Sequence, residues 1–258
     1  MELCSNSLTK ILEHKPQVFH RKPEEPMNSI EFYISCHIFK ELLECVQYLH
    51  ELDPPVIHRD LKPDNILVTL NVTNGRYFKL GDFGLATVHD RNIHSMTNNK
   101  HTGDVGDTRY QAPEVAYYAK YDHRIDIYSL SKIGEEIFDL NFNDKLTNNT
   151  NNEVLGKRVL KLQDLLQSMA YYNWDYPHKP GPHWTDRPEC SQSYIESNLI
   201  DNFISSANTQ QSTDGLYNKV SYALDGGREL GAHGPTGPSN LSYFDDRIKY
   251  GTYDEYNR

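Results

Sequence analysis

A chain of 258 residues can bury well over half of the surface that its unfolded form exposes, so one large domain, with or without a tail, is within reach. Its formal charge of −10 argues against a nucleic-acid partner, because a nucleic-acid groove needs a basic stripe to displace counterions. The cysteines at 4, 36, 45 and 190 form no CxxC pair and no metal-ligand spacing, and no apolar run approaches the ~20 residues that span a bilayer, so we expect reduced thiols, a cytoplasmic location and no membrane partner.

The chain opens on an apolar run, Met1-Glu2-Leu3-Cys4, and passes into Leu8, Ile11 and Leu12, which lie at helical spacing behind Ser7 as N-cap. A polar, proline-bearing stretch follows from Lys15 to Met27. Asn28 and Glu31 are then spaced as a capping box that opens a long helix, with Phe32, Cys36, Phe39, Leu43 and Val46 as its buried stripe to about Leu49. Glu51 to Pro55 ends that helix. The apolar pair Val56-Ile57, the polar run from His58 to Asn65 and the apolar run Ile66-Leu67-Val68 read as strand, loop, strand. A loop pinned at both ends can turn Asp60, Lys62 and Asn65 towards one point, and phosphoryl transfer asks a protein for this combination of positioning and charge.

Asn74-Gly75 predicts a two-residue hairpin turn, and the returning strand Phe78 to Leu80 runs directly into Gly81-Asp82-Phe83-Gly84. From Leu85 to Asp107 the chain is polar and without periodicity, so a long loop is predicted. Ile125, Tyr128, Leu130, Ile133 and Ile137 fit a buried helix between Tyr121 and Leu140. Asn141 to Asn152 is an asparagine-rich insertion. Val154 to Met169 is amphipathic, Tyr171 to Asp186 reads as loop, and Tyr194 to Ile204 is the last predicted helix. Residues 206–258 lack periodicity and are expected to form a poorly structured tail.

The run His58-Arg59-Asp60-Leu61-Lys62-Pro63-Asp64-Asn65 resembles the catalytic loop of eukaryotic protein kinases, H-R-D-x-x-x-x-N, in every specified position. Asp82-Phe83-Gly84 resembles the D-F-G motif of that family, Ala112-Pro113-Glu114 its A-P-E, and Asp126-Ile127-Tyr128-Ser129-Leu130 the start of its D-x-W-S-x-G helix, with Ser131 where glycine is usual. The resemblance implies an α+β, mostly α-helical large lobe with short hairpins around the catalytic loop, a kinase domain over residues 1–205, and ATP and Mg2+ as cofactors. It implies that Asp60 accepts the proton of a protein substrate's hydroxyl and Lys62 stabilises the transferred phosphate. Asn65 and Asp82 are implied to hold magnesium. Glu2 and Cys4 would present hinge backbone to adenine, with Leu67 beneath the ring. Arg59 would receive a phosphate carried by Thr102. Asp126 would hold the backbone of the catalytic loop, and Glu114 would pair with Arg187, 73 residues away. Lys62 marks the serine/threonine type, and a kinase dimer is a further partner that the family allows.

Gly81 to Thr87, His101 to Gly106 and Tyr121 to Leu130 are similar to the kinases of the alpha subunit of translation initiation factor 2, which suggests signalling in stress and translation control. Two departures accompany this. Asp107 stands where serine/threonine kinases usually carry a threonine that hydrogen-bonds the catalytic acid and lysine, and a second carboxylate there is expected to repel Asp60 unless Lys62 bridges both or Thr108 substitutes. The glycine-rich loop and strand lysine of a kinase small lobe cannot precede a hinge at residue 1, so the isolated chain is expected to bind nucleotide weakly. A non-catalytic interaction module built on a kinase-like lobe is the alternative.

Overall fold

The computed structural model describes residues 4–22, 25–73, 76–88, 106–116, 121–140, 153–171, 186–190 and 192. Strand β1 (Cys4–Ser7) leads into helix α1 (Leu8–Val18), followed by the long helix α2 (Ser29–His50) and strand β2 (Val56–Ile57). After the polar loop come β3 (Ile66–Thr73), β4 (Arg76–Leu80) and the short β5 (Thr87–Val88). Helices α3 (Pro113–Ala116), α4 (Arg124–Ile137) and α5 (Glu153–Met169) complete the described elements.

Helix α2 is the centre of the molecule. Its five predicted stripe residues are all buried, but so are Tyr33, Ile34, Ile38, Leu42 and Leu49, because α4, β4 and β2 pack against it on more than one face. A helix apolar over most of its circumference belongs inside a domain. Phe39, Leu42 and Val46 meet Leu130, Ile133 and Ile137 of α4 and Leu162, Leu166 and Met169 of α5 in one continuous core. Gly134 makes the close seating possible, since a Cβ there would stand 2.6 Å from Leu166 and 3.0 Å from Phe39.

The start of α2 follows the expected cap in part. The side chain of Asn28 accepts from the amides of Ile30 at 3.0 Å and Glu31 at 2.9 Å. Glu31 does not reach back to complete the box. Its fully buried carboxylate accepts instead from Arg21, at 2.9 Å from Nε, and lies 3.8 Å from Lys15 Nζ. The same cluster explains why α1 runs on through Pro16 to Val18, beyond its apolar spacing. Lys15 is only 3% exposed and donates to the carbonyl of Ile137 at the end of α4, so the helix is held where local sequence would release it. Burial lowers the pKa of Lys15 against the opposing pull of Asp139 and Glu31.

Two small sheets frame the polar loop. Strand β3 is central in an antiparallel sheet of order β1-β3-β4, with Cys4 opposite Thr69, Ser7 opposite Leu67 and Leu67 opposite Lys79. Thr73 pairs with Arg76 across the expected hairpin, whose turn residues Asn74 and Gly75 lie outside the described residues. The second sheet pairs β2 with β5, Val56 with Val88 and Ile57 with Thr87. Thr87 and Val88, read from sequence as the start of a long loop, are therefore a strand, because the unpaired edge of β2 offers them a partner. Met1, Glu2, Thr102, the asparagine-rich insertion, the last predicted helix and the tail fall outside the described residues. No helix among the described residues is long and apolar enough to cross a membrane.

Candidate active site

The loop from His58 to Asn65 begins where β2 delivers it and ends in a single 3-10 turn, Pro63–Asn65, that feeds β3. Its backbone hangs from one carboxylate. Asp126, fully buried in the first turn of α4, accepts the amide of His58 at 2.8 Å and that of Arg59 at 3.0 Å. His50, in the last turn of α2, donates to the same carboxylate from Nε2 at 3.0 Å. Burial would drive the Asp126 carboxyl up, but the hydrogen bond and charge of His50 and the loop amides outweigh it and hold the group below its ordinary value. Two helices distant in sequence thus fix the loop's first residues.

Arg59 takes a left-handed backbone conformation, φ 68°, which turns the chain sharply before Asp60. Its Nε donates to the carbonyl of Leu85 at 2.5 Å and its guanidinium lies 3.4 Å from the Tyr121 hydroxyl. The Asp60 carboxylate is 7% exposed and has three donors among the described residues. Oδ2 accepts from Lys62 Nζ and from Asn65 Nδ2, both at 2.9 Å, and Oδ1 accepts the amide of Asp107 at 3.2 Å. The sequence places Asp60, Lys62 and Asn65 within six positions, and the structure brings all three together. The hydrogen bond with Asp60 raises the pKa of Lys62, so the lysine stays charged.

The second half of the site is joined to the first through Gly81. Its amide donates to the Asn65 carbonyl at 2.8 Å, and its own carbonyl accepts from His58 Nε2 at 3.0 Å. A Cβ on Gly81 would stand 2.9 Å from Leu67 Cδ1, so Leu67 packs directly against this residue. The ring of Phe83 rests on His58 at 4.9 Å. Asp82 has φ 55° and an exposed side chain whose Oδ1 accepts the amide of Gly84 at 3.3 Å.

Asn65 uses Nδ2 for both Asp60 contacts, the carboxylate and the main-chain oxygen at 2.8 Å, which leaves Oδ1 as the acceptor of its side chain. An amide oxygen and an exposed carboxylate on linked loops suit a hard cation such as Mg2+, which takes few protein ligands and completes its octahedron with water and phosphate oxygens. Among the described residues no three of His, Cys, Asp and Glu converge on a metal position, so a cage of the zinc type is not what these residues build.

Across from the loop, Gly106 and Asp107 approach Asp60. The expected clash of carboxylates does not occur. Asp107 offers Asp60 its amide and turns its own carboxylate to Arg109, which binds it from the backbone amide at 3.0 Å, Nε at 3.1 Å and NH2 at 2.7 Å. Those hydrogen bonds bring the Asp107 pKa down to about 2. Thr108 is exposed on the turn, and the contact to Asp60 comes from Asp107 instead. Further along, Glu114 and Arg187 form a buried two-pronged pair at 2.5 and 2.9 Å, with Arg187 also donating to the Tyr171 carbonyl at 2.9 Å and lying over the Tyr128 ring at 5.1 Å. Ser131 is fully buried and donates to the Tyr128 carbonyl at 2.7 Å, so the hydroxyl that replaces a usual glycine is satisfied within α4.

Sequence reasoning missed His50 and Glu41. His50 follows Leu49 at the end of an apolar stripe and carries no local sign of its partner 76 residues on. Glu41 faces inward from mid-helix and accepts the amides of Tyr77 at 2.5 Å and Phe78 at 2.7 Å, which fixes β4 to α2. A charged residue inside an apolar helical face was the available signal. Cys4 pairs in β1, and Leu67 pairs in β3 as the strand, loop, strand reading expects, while Glu2 and Thr102 lie outside the described residues.

The protein kinase domain model matches residues 1–213. Eukaryotic translation initiation factor 2-alpha kinase 3 of Rattus norvegicus is 38% identical over 114 residues, covering 42% of this chain and 10% of that protein. Eukaryotic translation initiation factor 2-alpha kinase pek-1 of Caenorhabditis elegans is 32% identical over 144 residues, 53% of this chain and 12% of that one. The chain therefore spans only about a tenth of the length of these relatives. Among solved structures, the yeast RNA Pol II CTD kinase CTDK-1 complex contains a chain that superposes with a TM-score of 0.50 at 21% identity, over 75% of this chain and 67% of that one, a likeness of fold.

Proposed function

The chain belongs to the protein kinase family, and we propose that its protein transfers the γ-phosphate of ATP to serine and threonine hydroxyls of a protein substrate in the cytoplasm. The observation that carries this reading is the Asp60 carboxylate, nearly buried, with Lys62, Asn65 and the Asp107 amide fixing both of its oxygens. Such a carboxylate orients the attacking hydroxyl and takes its proton. Lys62 stays cationic beside it and stabilises negative charge on the phosphoryl group in transit. Asn65 and Asp82 are the residues that would hold Mg2+, which when bound neutralises charge on the phosphate oxygens. Leu67, backed by Gly81, provides an apolar floor for the adenine, and the backbone around Cys4 provides its polar edge.

Similarity to two translation initiation factor 2-alpha kinases supports a substrate in translation control. The test is transfer of labelled phosphate by the native protein, purified from its own source, to serine/threonine and to tyrosine peptide libraries with Mg2+ present. Phosphoserine and phosphothreonine are expected. Transfer to tyrosine alone, or none, overturns the reading.

A further inference from the structure

The substitution that looked disruptive in the sequence has a defined structural role. Gly106 has φ 91°, and a Cβ there would stand 2.8 Å from the Arg59 carbonyl and 3.1 Å from Asp60 Oδ1, so this segment lies directly on the catalytic loop. The next peptide places the Asp107 amide 3.2 Å from Asp60 Oδ1. The Asp107 carboxylate accepts three hydrogen bonds from Arg109, and its carbonyl accepts the amides of Tyr110 and Gln111, both at 3.0 Å. The carboxylate and carbonyl of Asp107 are thereby committed to the geometry of one turn, and its amide to Asp60. That turn is tied in turn to α4, where the Tyr110 hydroxyl donates to Glu136 at 2.5 Å and Ser129 donates to the Tyr110 carbonyl at 2.8 Å. A threonine hydroxyl could not receive a guanidinium fork in this way, because only a carboxylate matches its two parallel donors.

We propose that Asp107 is a positioning residue for phosphoryl transfer: clipped by Arg109, it presents its backbone amide to the Asp60 carboxylate in place of the side-chain hydroxyl found in similar kinases. The clip also pairs the second negative charge at this position with the Arg109 guanidinium. Removing the Asp107 contact would leave Oδ1 of Asp60 without the donor that sets its rotation towards the substrate hydroxyl. Arg109 itself is 68% exposed and acts through Asp107, not on the phosphate.

This inference rests on the kinase reading, and two measurements on the native protein separate them. The first is amide hydrogen exchange at Asp107 in the wild type, Arg109→Ala and Arg109→Lys, followed residue by residue by NMR, with thermal unfolding as a control for global stability. In Arg109→Ala the Asp107 amide is expected to exchange about three- to tenfold faster, the scale open to a partly exposed but multiply bonded pair, with Arg109→Lys between it and the wild type because lysine keeps charge and loses the fork. The second is steady-state kinetics. The value of kcat should fall by a similar factor in Arg109→Ala with the KM values for ATP and peptide nearly unchanged, and recover in part in Arg109→Lys. Unchanged exchange at Asp107, or a rise in peptide KM at constant kcat, overturns the proposal, the latter by making Arg109 a substrate contact. Transfer by the wild type with full kcat in Arg109→Ala sinks this proposal alone. Absence of transfer by the wild type, or its survival in Asp60→Asn, sinks the kinase reading and this proposal together. If Arg109→Ala does not fold, Arg109→Lys decides by the same two measurements.

Discussion

Replacing Asp126 by asparagine should weaken the protein far more than a one-atom change suggests. Oδ2 of Asp126 accepts from the His58 amide at 2.8 Å and His50 Nε2 at 3.0 Å, whereas an asparagine amide in that place presents a donor to two donors. Oδ1, bonded to the Arg59 amide at 3.0 Å, can remain an acceptor. Two hydrogen bonds to a buried charge are lost, and at roughly 1.5 kcal/mol each by the lower measure they amount to about 3 kcal/mol. With an m value of about 2 kcal/mol/M, the urea midpoint should fall by about 1.5 M. The effect should depend on pH with a definite sign. The folded-state pKa of Asp126 lies below the ordinary 3.8, so its contribution is complete above that value and is lost as pH falls through the depressed one. The gap between wild type and variant should therefore be constant near neutrality and close in acid. A midpoint shift under about 0.5 M at pH 7, equivalent to less than one such hydrogen bond, would refute the assignment of Asp126 as the loop's anchor.

Other expectations follow from single contacts. Arg187→Met strands the Glu114 carboxylate at 1% exposure and should cost about 3–5 kcal/mol in chemical denaturation, while Glu114→Gln with Arg187→Met should cost much less; additive losses would contradict a coupled pair. Gly106→Ala forces a methyl group against the Arg59 carbonyl at a φ that side chains avoid, a strain of about 1–3 kcal/mol that should displace Asp107 and lower kcat at least tenfold or so; full activity would show that the close approach is unimportant. Burial raises the Glu41 pKa to about 7 despite its backbone hydrogen bonds, so the folded state holds a proton more tightly than the unfolded one, and the wild type should lose stability as pH rises from the ordinary 4.5 through about 7. Glu41→Gln should flatten that slope between urea titrations at pH 5 and 8. An equal slope in both proteins would remove Glu41 as its source.

What could be read from the sequence had local marks. Asn28 caps α2, Asp60 and Asn65 sit in one short loop, and the fixed distance between Glu114 and Arg187 was recoverable from the family resemblance. Periodicity found α2, α4 and α5 to within a few residues, because each buries an apolar face and the burial is what makes it a helix. Features made by two distant segments left no such mark. The box at Asn28 failed because Arg21 captures Glu31, and α1 outran its apolar pattern because Lys15 reaches the end of α4. The repulsion expected at Asp107 reflected a residue type considered without its rotamer. Arg109, two positions on, accounts for the charge and frees the amide to do what a hydroxyl was expected to do.

The central claim is that Asp60 is the base of a phosphoryl transfer. Initial rates of phosphate transfer to a serine peptide by the native protein and its Asp60→Asn variant, at saturating ATP and Mg2+, test it most directly. A positioned base is worth about 10²–10⁴ in rate, so the variant should retain a hundredth of the activity or less, with its fold intact by urea denaturation. A loss smaller than about tenfold in a folded variant would mean that another group takes the proton and would contradict the account.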